Sequence, residues 1–554
     1  MGVNGIYGLS GSGLDIESMV KVGMISKQKQ YDRMYQNEVK QEWLKEAYSE
    51  VYSKLNTFTN TTMFNYKMSA TTNAMSAATS NSTTATATAN ADAAAMTHSV
   101  KVNSLASNAY LLTGDEGITR SGETTTGKSI YLKDVIDISG MGDDETLSFD
   151  ISDGTNTATI SFTKDELSRQ TLNDFAVAIK NAKDPNTESA VNIKATFDAA
   201  NDSMSLYNSA SGSANIISLK ANDSYAASLL NNLNLHQVTK NDDGETVLSD
   251  DAYDFSADAS GDYTAQVASG SDASVTIDGK SYTTDTGKIS VANVTYSLAA
   301  VGSTTVTVTQ DTDKIIENVK QFVEDYNELL GMLNDKYNEK QYSDYKVLTK
   351  AQEEAMTEEQ IKKWNEKAKS GLLYHNSDIA ELRSSLREAV YTSVTSVDGK
   401  YKTMSSIGIE SRTDQGILRL DEDKLRAALT DDPDCVYQLF VGDATAEDSI
   451  DKNLTGVSKT AATKTAYAAT GVINRITSAG NKSMTAIKDY AGTSTEAADG
   501  STLGDLIIQL QNKMSSFKTM MSAYESLLFK KYDAMEVTLA RLGTQMNMFG
   551  FGST

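Results

Sequence analysis

The stretch "DLIIQLQNKMSSFKTMMSAYESLLFKKYDAMEVTLARL", Asp505–Leu542, runs without Gly or Pro near the C-terminal end of the chain. Starting just before it, Leu503, Ile507, Leu510, Met514, Phe517, Met521, Tyr524 and Leu528 are spaced alternately by four and three residues. After a second consecutive step of four, Tyr532, Met535, Leu539, Leu542, Met546 and Phe549 resume the alternation. This is a heptad seam carrying one stutter. It predicts a continuous helix on the order of 55 Å long at ~1.5 Å per residue. A seam of that length has to be covered by another helix.

The other end of the chain offers one. Leu44, Tyr48, Val51, Leu55 and Phe58 keep the same alternation, and Val20, Met24, Tyr31 and Met34 extend it upstream in weaker form. The segment "GLSGSGLDIESMVK", from Gly8, reads as a helix start. Asp15 is placed to cap, Leu14 and Met19 take the hydrophobic-staple positions, and Glu17 sits in the first turn, where the helix dipole favours it. Two termini with heptad seams can pair with each other, with neighbouring subunits, or both. The seam residues assigned to contacts beyond the monomer are Leu14, Met19, Leu528, Tyr532, Met535, Leu539, Leu542, Met546 and Phe549.

Between the ends the apolar period changes from heptad to two. Leu147, Phe149 and Ile151 alternate, Asp153-Gly154 turns, and Ala158, Ile160 and Phe162 alternate again. Leu172, Phe175, Ala176 and Ile179 form a helical face behind Thr171. Val191, Ile193, Ala195 and Phe197, then Met204 and Leu206, return to strand spacing, giving a ββαββ module. A second β region covers Val275–Gln310, with Asp278-Gly279 as a type I′ hairpin turn. Thr71–Ala95, built mostly of Ser, Thr, Ala and Asn, reads as linker or irregular chain, with "TATATA" at Thr84–Ala89 as an alternative edge strand; "HSVKVNSL" reads as strand. Helix resumes with Ile315, Val319, Phe322, Tyr326, Leu329 and Leu333, and again with Ile379, Leu382, Leu386 and Val390. A hairpin around Asp414–Gly416 precedes a helix capped by Asp421. The predicted fold is therefore α+β and multidomain: a long antiparallel coiled-coil stalk from the N- and C-terminal segments, with β-rich domains inserted between them. The expected division is a terminal leg (1–40 and 530–554), a helical core (41–70 and 312–529), a β-rich domain (71–112 and 250–311) and an inserted α+β domain (113–249).

Composition narrows the chemistry. A net charge of −24 over 554 residues opposes general binding to nucleic acid or anionic membranes. No apolar run reaches the ~18 residues of a membrane helix, and no conventional signal peptide is read at the N-terminus. Cys435, the single cysteine, lies among apolar residues and reads as a packing residue; Pro185 and Pro433 are the two prolines. His98, His236 and His375 are far apart and fall in no metal or catalytic motif, and phosphate-loop and nucleophile-elbow patterns are missing. "NDDGE", Asn241–Glu245, lacks the remaining ligand spacing of a calcium loop and reads as a solvated turn. "QEEAMTEEQIKKWNEKAK" reads as a solvated helical face anchored by Trp364. The expectation is a non-enzymatic protein without cofactor or metal.

Several stretches also resemble the flagellar hook-associated protein 2 family, the filament cap. They are "GLSGSGLDIESMVK", "EAYSEVYSKLNTF", "VTVTQDTDKIIENVKQFVEDYNELL", "EKAKSGLLYHNSDI", "GILRLDEDKLRAALTDDPDCVYQLFVG" and the Met-rich C-terminal helix. The resemblance covers both ends and most of 305–442. It implies export through the flagellar type III channel without a cleaved signal, and a homo-oligomeric ring, a pentamer, at the distal filament tip. It further implies that the ring chaperones flagellin folding and insertion, with host mucin or surface glycans as further ligands in some members. The seam residues would then be oligomer and filament contacts. A flagellin-like or hook–filament junction protein is the alternative.

Overall fold

The computed structural model describes residues 15–121, 130–240, 245–411, 415–446 and 448–548. The chain forms two compact units, one from residues 1–74 with 312–554 and one from residues 75–311.

The first unit is helical. Helix α1 (Ile16–Thr57) starts at Asp15, whose carboxylate accepts from Ser18 N at 3.0 Å, and it buries Tyr48, Val51 and Leu55. A π-helical turn, Phe58–Thr62, ends it and keeps Phe58 buried. Helix α2 (Thr312–Asn338) buries every predicted seam residue from Ile315 to Leu333. The chain continues through α3 (Glu358–Lys369), α4 (Ser377–Tyr391), α5 (Glu422–Asp431), capped by Asp421 as expected, α6 (Cys435–Val441), α7 (Gly456–Ala469), α8 (Val472–Ala491) and α9 (Thr502–Met548). One core joins α1, α2, α4, α5, α6 and α8, and the Cys435 thiol lies fully inside it, where burial pushes its pKa up to about 12. Helix α9 is longer than the Asp505–Leu542 span read from sequence, because Gly504 and Gly543 are accommodated as helical residues, each at ~1 kcal/mol. The Asp414 end of the predicted hairpin lies outside the described residues; its strands, Ile409–Ser411 and Leu418–Leu420, pair antiparallel.

The second unit has two cores. One is built on a sheet ordered Met75–Thr79, Gly302–Gln310, Thr97–Ser104, Ala273–Ile277, Lys280–Thr284, and on a three-stranded sheet ordered Lys288–Val291, Val294–Leu298, Ala85–Ala89. Val100, Val102, Val275, Ile277, Val306 and Val308 fill it at period two. Asp278 and Gly279 both have positive φ, +49° and +84°, as a type I′ turn requires. The expectation of an irregular linker over Thr71–Ala95 is corrected here. Met75–Thr79 pairs with Gly302–Gln310, and Ala85–Ala89 is the edge strand beside Val294–Leu298, because its small alternating side chains let Ala85 bury completely.

The other core contains the ββαββ pattern, but its four strands lie in two sheets. Thr146–Ser152 and Thr157–Thr163 belong to one, and Ile193–Asp198 and Ser203–Ser211 to the other. The helix Leu172–Lys180, capped by Thr171, buries Phe175 against Phe149 and Phe162. This core reaches from Ala109 to Ala268, beyond 113–249 at both ends, because Asn108–Thr113 and Gln266–Ser269 supply strands to its sheets. Residues 241–244 of "NDDGE" lie outside the described residues.

Candidate interaction surface of the paired terminal helices

Helices α1 and α9 pack antiparallel along one register. Leu528 lies against Gly23, where a Cβ would stand 2.7 Å from its Cδ1; Lys27 sits over the Tyr524 ring; Gln511 Nε2 donates to Glu38 Oε1 at 2.9 Å. Near the far end of the pair Lys45, 1 % exposed, donates to Ala491 O (2.5 Å), Asp499 Oδ2 (2.6 Å) and Ser501 Oγ (3.0 Å). A buried ammonium is tolerated only when its hydrogens are met in this way, and it pins α1 to the α8–α9 connection.

Along the α9 seam, buried positions alternate with half-buried Leu510, Phe517, Met521 and Tyr524 as far as Leu528, and burial is lost beyond it. Leu503 and Ile507 are 1 % exposed, Met514 8 % and Leu528 6 %, and Tyr532 is half-buried. Met535 is 37 % exposed, Leu539 43 %, Leu542 50 % and Met546 56 %. Continuing the register by one turn sets Tyr532 level with half-buried Met19, so the last seam residues lie past the described start of α1. Leu14 and Phe549 lie outside the described residues. Of the assigned seam, Met19, Leu528 and Tyr532 therefore take part in the α1–α9 pair, whereas Met535, Leu539, Leu542 and Met546 form an apolar ridge open to solvent. Sequence periodicity missed Val22, Ile25 and Leu527, which are 68 %, 49 % and 59 % exposed. They lie off the seam, next to the seam residues Val20, Met24 and Leu528, and this extra apolar residue beside the stripe was the only signal.

The carboxyl of Asp499 has a pH consequence. Burial pushes its pKa up, but the bonds from Lys45 and Ser501 outweigh this and hold it below the ordinary carboxylate range. Its folded pKa is thus lower than the unfolded value of ~3.9. The stabilisation is complete above that value and is lost as pH falls through the folded pKa. Asp499→Asn is expected to flatten the acid limb of the stability curve below about pH 4. At neutral pH it should cost ~3 kcal/mol, because the Lys45 charge stays buried. Urea melts followed by Trp43 and Trp364 fluorescence at two pH values check both. An unchanged acid limb would show that other carboxylates govern it.

Elsewhere the histidines are structural. His98 Nδ1 pairs with Asp278 Oδ2 at 2.6 Å, His236 Nδ1 with Ser249 O at 2.7 Å, and the His375 ring stacks on Tyr337. Among the described residues no group of His, Cys, Asp and Glu could hold a metal, and no helix is long and apolar enough to cross a membrane.

The chain is similar to known proteins at both ends. Residues 12–109 match the family model described as the flagellar hook-associated protein 2 N-terminus, and residues 270–544 match that described as its C-terminus. A flagellar hook-associated protein 2 from Halalkalibacterium halodurans is 31% identical over 265 residues, 47% of this chain and 49% of that protein. The chain thus spans about half of that relative's length. One from Escherichia coli O157:H7 is 28% identical over 436 residues, 72% of this chain and 80% of the relative. A crystal structure of the flagellar cap protein FliD from Escherichia coli aligns over 78% of this chain and 94% of its own, with a TM-score of 0.48 and 22% sequence identity.

Proposed function

The chain belongs to the flagellar hook-associated protein 2 family, a structural rather than enzymatic one, and from that premise we propose that it caps the distal tip of a flagellar filament as a homo-oligomeric ring, a pentamer. The ring holds exported flagellin while it folds and inserts. In this reading the chain reaches the tip through the type III channel, and residues 1–40 with 530–554 form the leg. The observation that carries the reading is the open ridge of Met535, Leu539, Leu542 and Met546 on α9, a helix anchored through its buried half to α1. An apolar face on a rigid helix gains its burial free energy only when a second molecule covers it.

The test is genetic. A strain lacking the chain should still export flagellin, but as monomer into the medium, and should not swim. The full chain should restore filaments, and a chain without Lys530–Thr554 should not. Swimming in the deletion strain would overturn the capping role; rescue by the shortened chain would overturn the role of the leg alone.

A further inference from the structure

Away from the terminal seam, a cleft of about 420 Å³ opens in the helical unit between α1 and the 341–372 segment. Its walls include Gln36, Asn37 and Lys40 of α1 and Tyr342, Tyr345 and Lys346 of the facing loop, with Val347 at its base. In a chain with 74 acidic residues and a net charge of −24, no Asp or Glu lines it. Lys40 and Lys346 are exposed, and neither ammonium has a hydrogen-bond or ion-pair partner among the described residues. Nearby lysines do: Lys369 pairs with Glu46 at 2.6 Å, Lys363 with Glu359 at 2.7 Å and Lys336 with Glu50 at 2.7 Å.

The rim is also prepared for negative charge at the level of the backbone. Four carbonyls around it, each of which would repel a carboxylate, are taken by side-chain donors. Val347 O accepts from Gln36 Nε2 (2.5 Å), Lys346 O from Trp364 Nε1 (2.7 Å), Gly371 O from Gln341 Nε2 (2.9 Å) and Lys340 O from Ser370 Oγ (2.6 Å). Gly371, at φ +74°, lets the two loop strands meet, since a Cβ there would stand 2.5 Å from Gln341 Cγ. These bonds hold the loop before any ligand arrives, which lowers the ordering cost of binding.

We propose that this cleft docks an extended acidic segment of a partner polypeptide. Two free ammonium groups meet its carboxylates, and the Asn37 NH2, whose Oδ1 accepts from Gln41 Nε2, lies in the cleft for its peptide carbonyls. Two lysines are too small a footprint for nucleic acid, and the overall negative charge opposes an anionic membrane. The proposal does not depend on the capping role.

Both tryptophans report on the test, because Trp364 bonds the Lys346 carbonyl and packs at a tilt against the Tyr345 ring, while Trp43 lies on α1 beneath Lys369. The full chain is titrated with a short peptide alternating Glu and Ser, and separately with its Lys–Ser counterpart, following tryptophan fluorescence at low and raised ionic strength. The expected result is saturable binding of the Glu peptide alone, weakened by salt, and weakened at least ~10-fold by Lys40→Glu or Lys346→Glu. Lys40→Ala and Lys346→Ala, with circular dichroism, separate lost binding from lost fold. Equal binding by the variants, equal binding of the Lys peptide, or no binding of the Glu peptide would overturn the proposal. So would full competition by citrate, which marks a small-anion site, or a change in sedimentation of the variants without peptide, which marks a second copy as the occupant.

Discussion

Replacing Arg475 by Met is expected to destabilise the helical unit by roughly 4 kcal/mol, a large share of a domain's net stability. Arg475 is fully buried, and among the described residues no carboxylate pairs directly with its guanidinium, although Glu388 is near enough to favour its charge. Its charge is met by backbone carbonyls: Nε donates to Tyr467 O (2.8 Å), Nη1 to Ala389 O (3.4 Å) and Thr392 O (2.6 Å), Nη2 to Ser393 O (3.0 Å) and Ala468 O (2.7 Å). These carbonyls belong to the C-terminal ends of α4 and α7, where helices leave acceptors unpaired and carry partial negative charge. One side chain thus terminates two helices and ties both to α8. Burial lowers the guanidinium's pKa, yet an arginine remains charged, and the Tyr467 ring beneath it adds a cation–π contact. A Met side chain conserves volume but takes this donor from the buried Ala389 carbonyl and from the part-buried carbonyls of Tyr467, Thr392 and Ser393, at ~1–3 kcal/mol each before relaxation, while Ala468 O keeps the Thr395 N–H. Arg475→Lys should recover only part of the loss, since three donors on a flexible stem cannot reach five carbonyls in a plane. Trp43 and Trp364 both lie in the helical unit, so urea melts followed by fluorescence read this unit alone. An unmoved midpoint in Arg475→Met would show that water replaces the guanidinium at these helix ends.

Arg475 also marks where sequence reading stops. Period and caps were legible because they are local: the α2 seam, the Asp15, Thr171 and Asp421 caps and the Asp278-Gly279 turn each need only a few neighbouring residues. Arg475 stands between Ile473 and Ile476 like any solvated arginine on an amphipathic helix, and three of its acceptors are more than 80 residues away. Lys45 meets Asp499 across 454 residues of chain, so one lysine among many carried no sign of burial. Thr71–Ala95 misled for a related reason. Ala and Ser do not favour strand and offset the preference of the Thr residues among them, and pairing with Val294–Leu298 and Gly302–Gln310 decides the outcome. The seam itself was legible as a pattern but not as a state. Leu528 and Leu539 occupy equivalent positions in the repeat, yet one is 6 % and the other 43 % exposed, because burial depends on how far the opposing helix extends.

That difference separates folding from assembly in a single pair of variants. Leu528→Ala removes a side chain packed against Gly23 and should cost ~2–4 kcal/mol in the isolated chain, visible as a lower urea midpoint. The triple change Leu539→Ser, Leu542→Ser and Met546→Ser touches side chains that are 43 %, 50 % and 56 % exposed, and should leave that midpoint nearly unchanged. Its effect should appear where the ridge becomes covered. Covering the exposed half of three large apolar side chains contributes on the order of 1 kcal/mol each, so losing them should weaken association ~100-fold. Sedimentation of the purified triple variant should show monomer at concentrations where the unaltered chain associates. In a strain lacking the chain, the triple variant should fail to retain flagellin at filament tips, although it is made and folded. The ridge runs along one face of a continuous helix, so the effect should also be graded: Met546→Ser alone should weaken association less than the triple change, without abolishing it. If the triple variant instead associates and caps like the unaltered chain, the open end of α9 is not the contact, and the off-seam residues Val22, Ile25 and Leu527 become the surface to alter next.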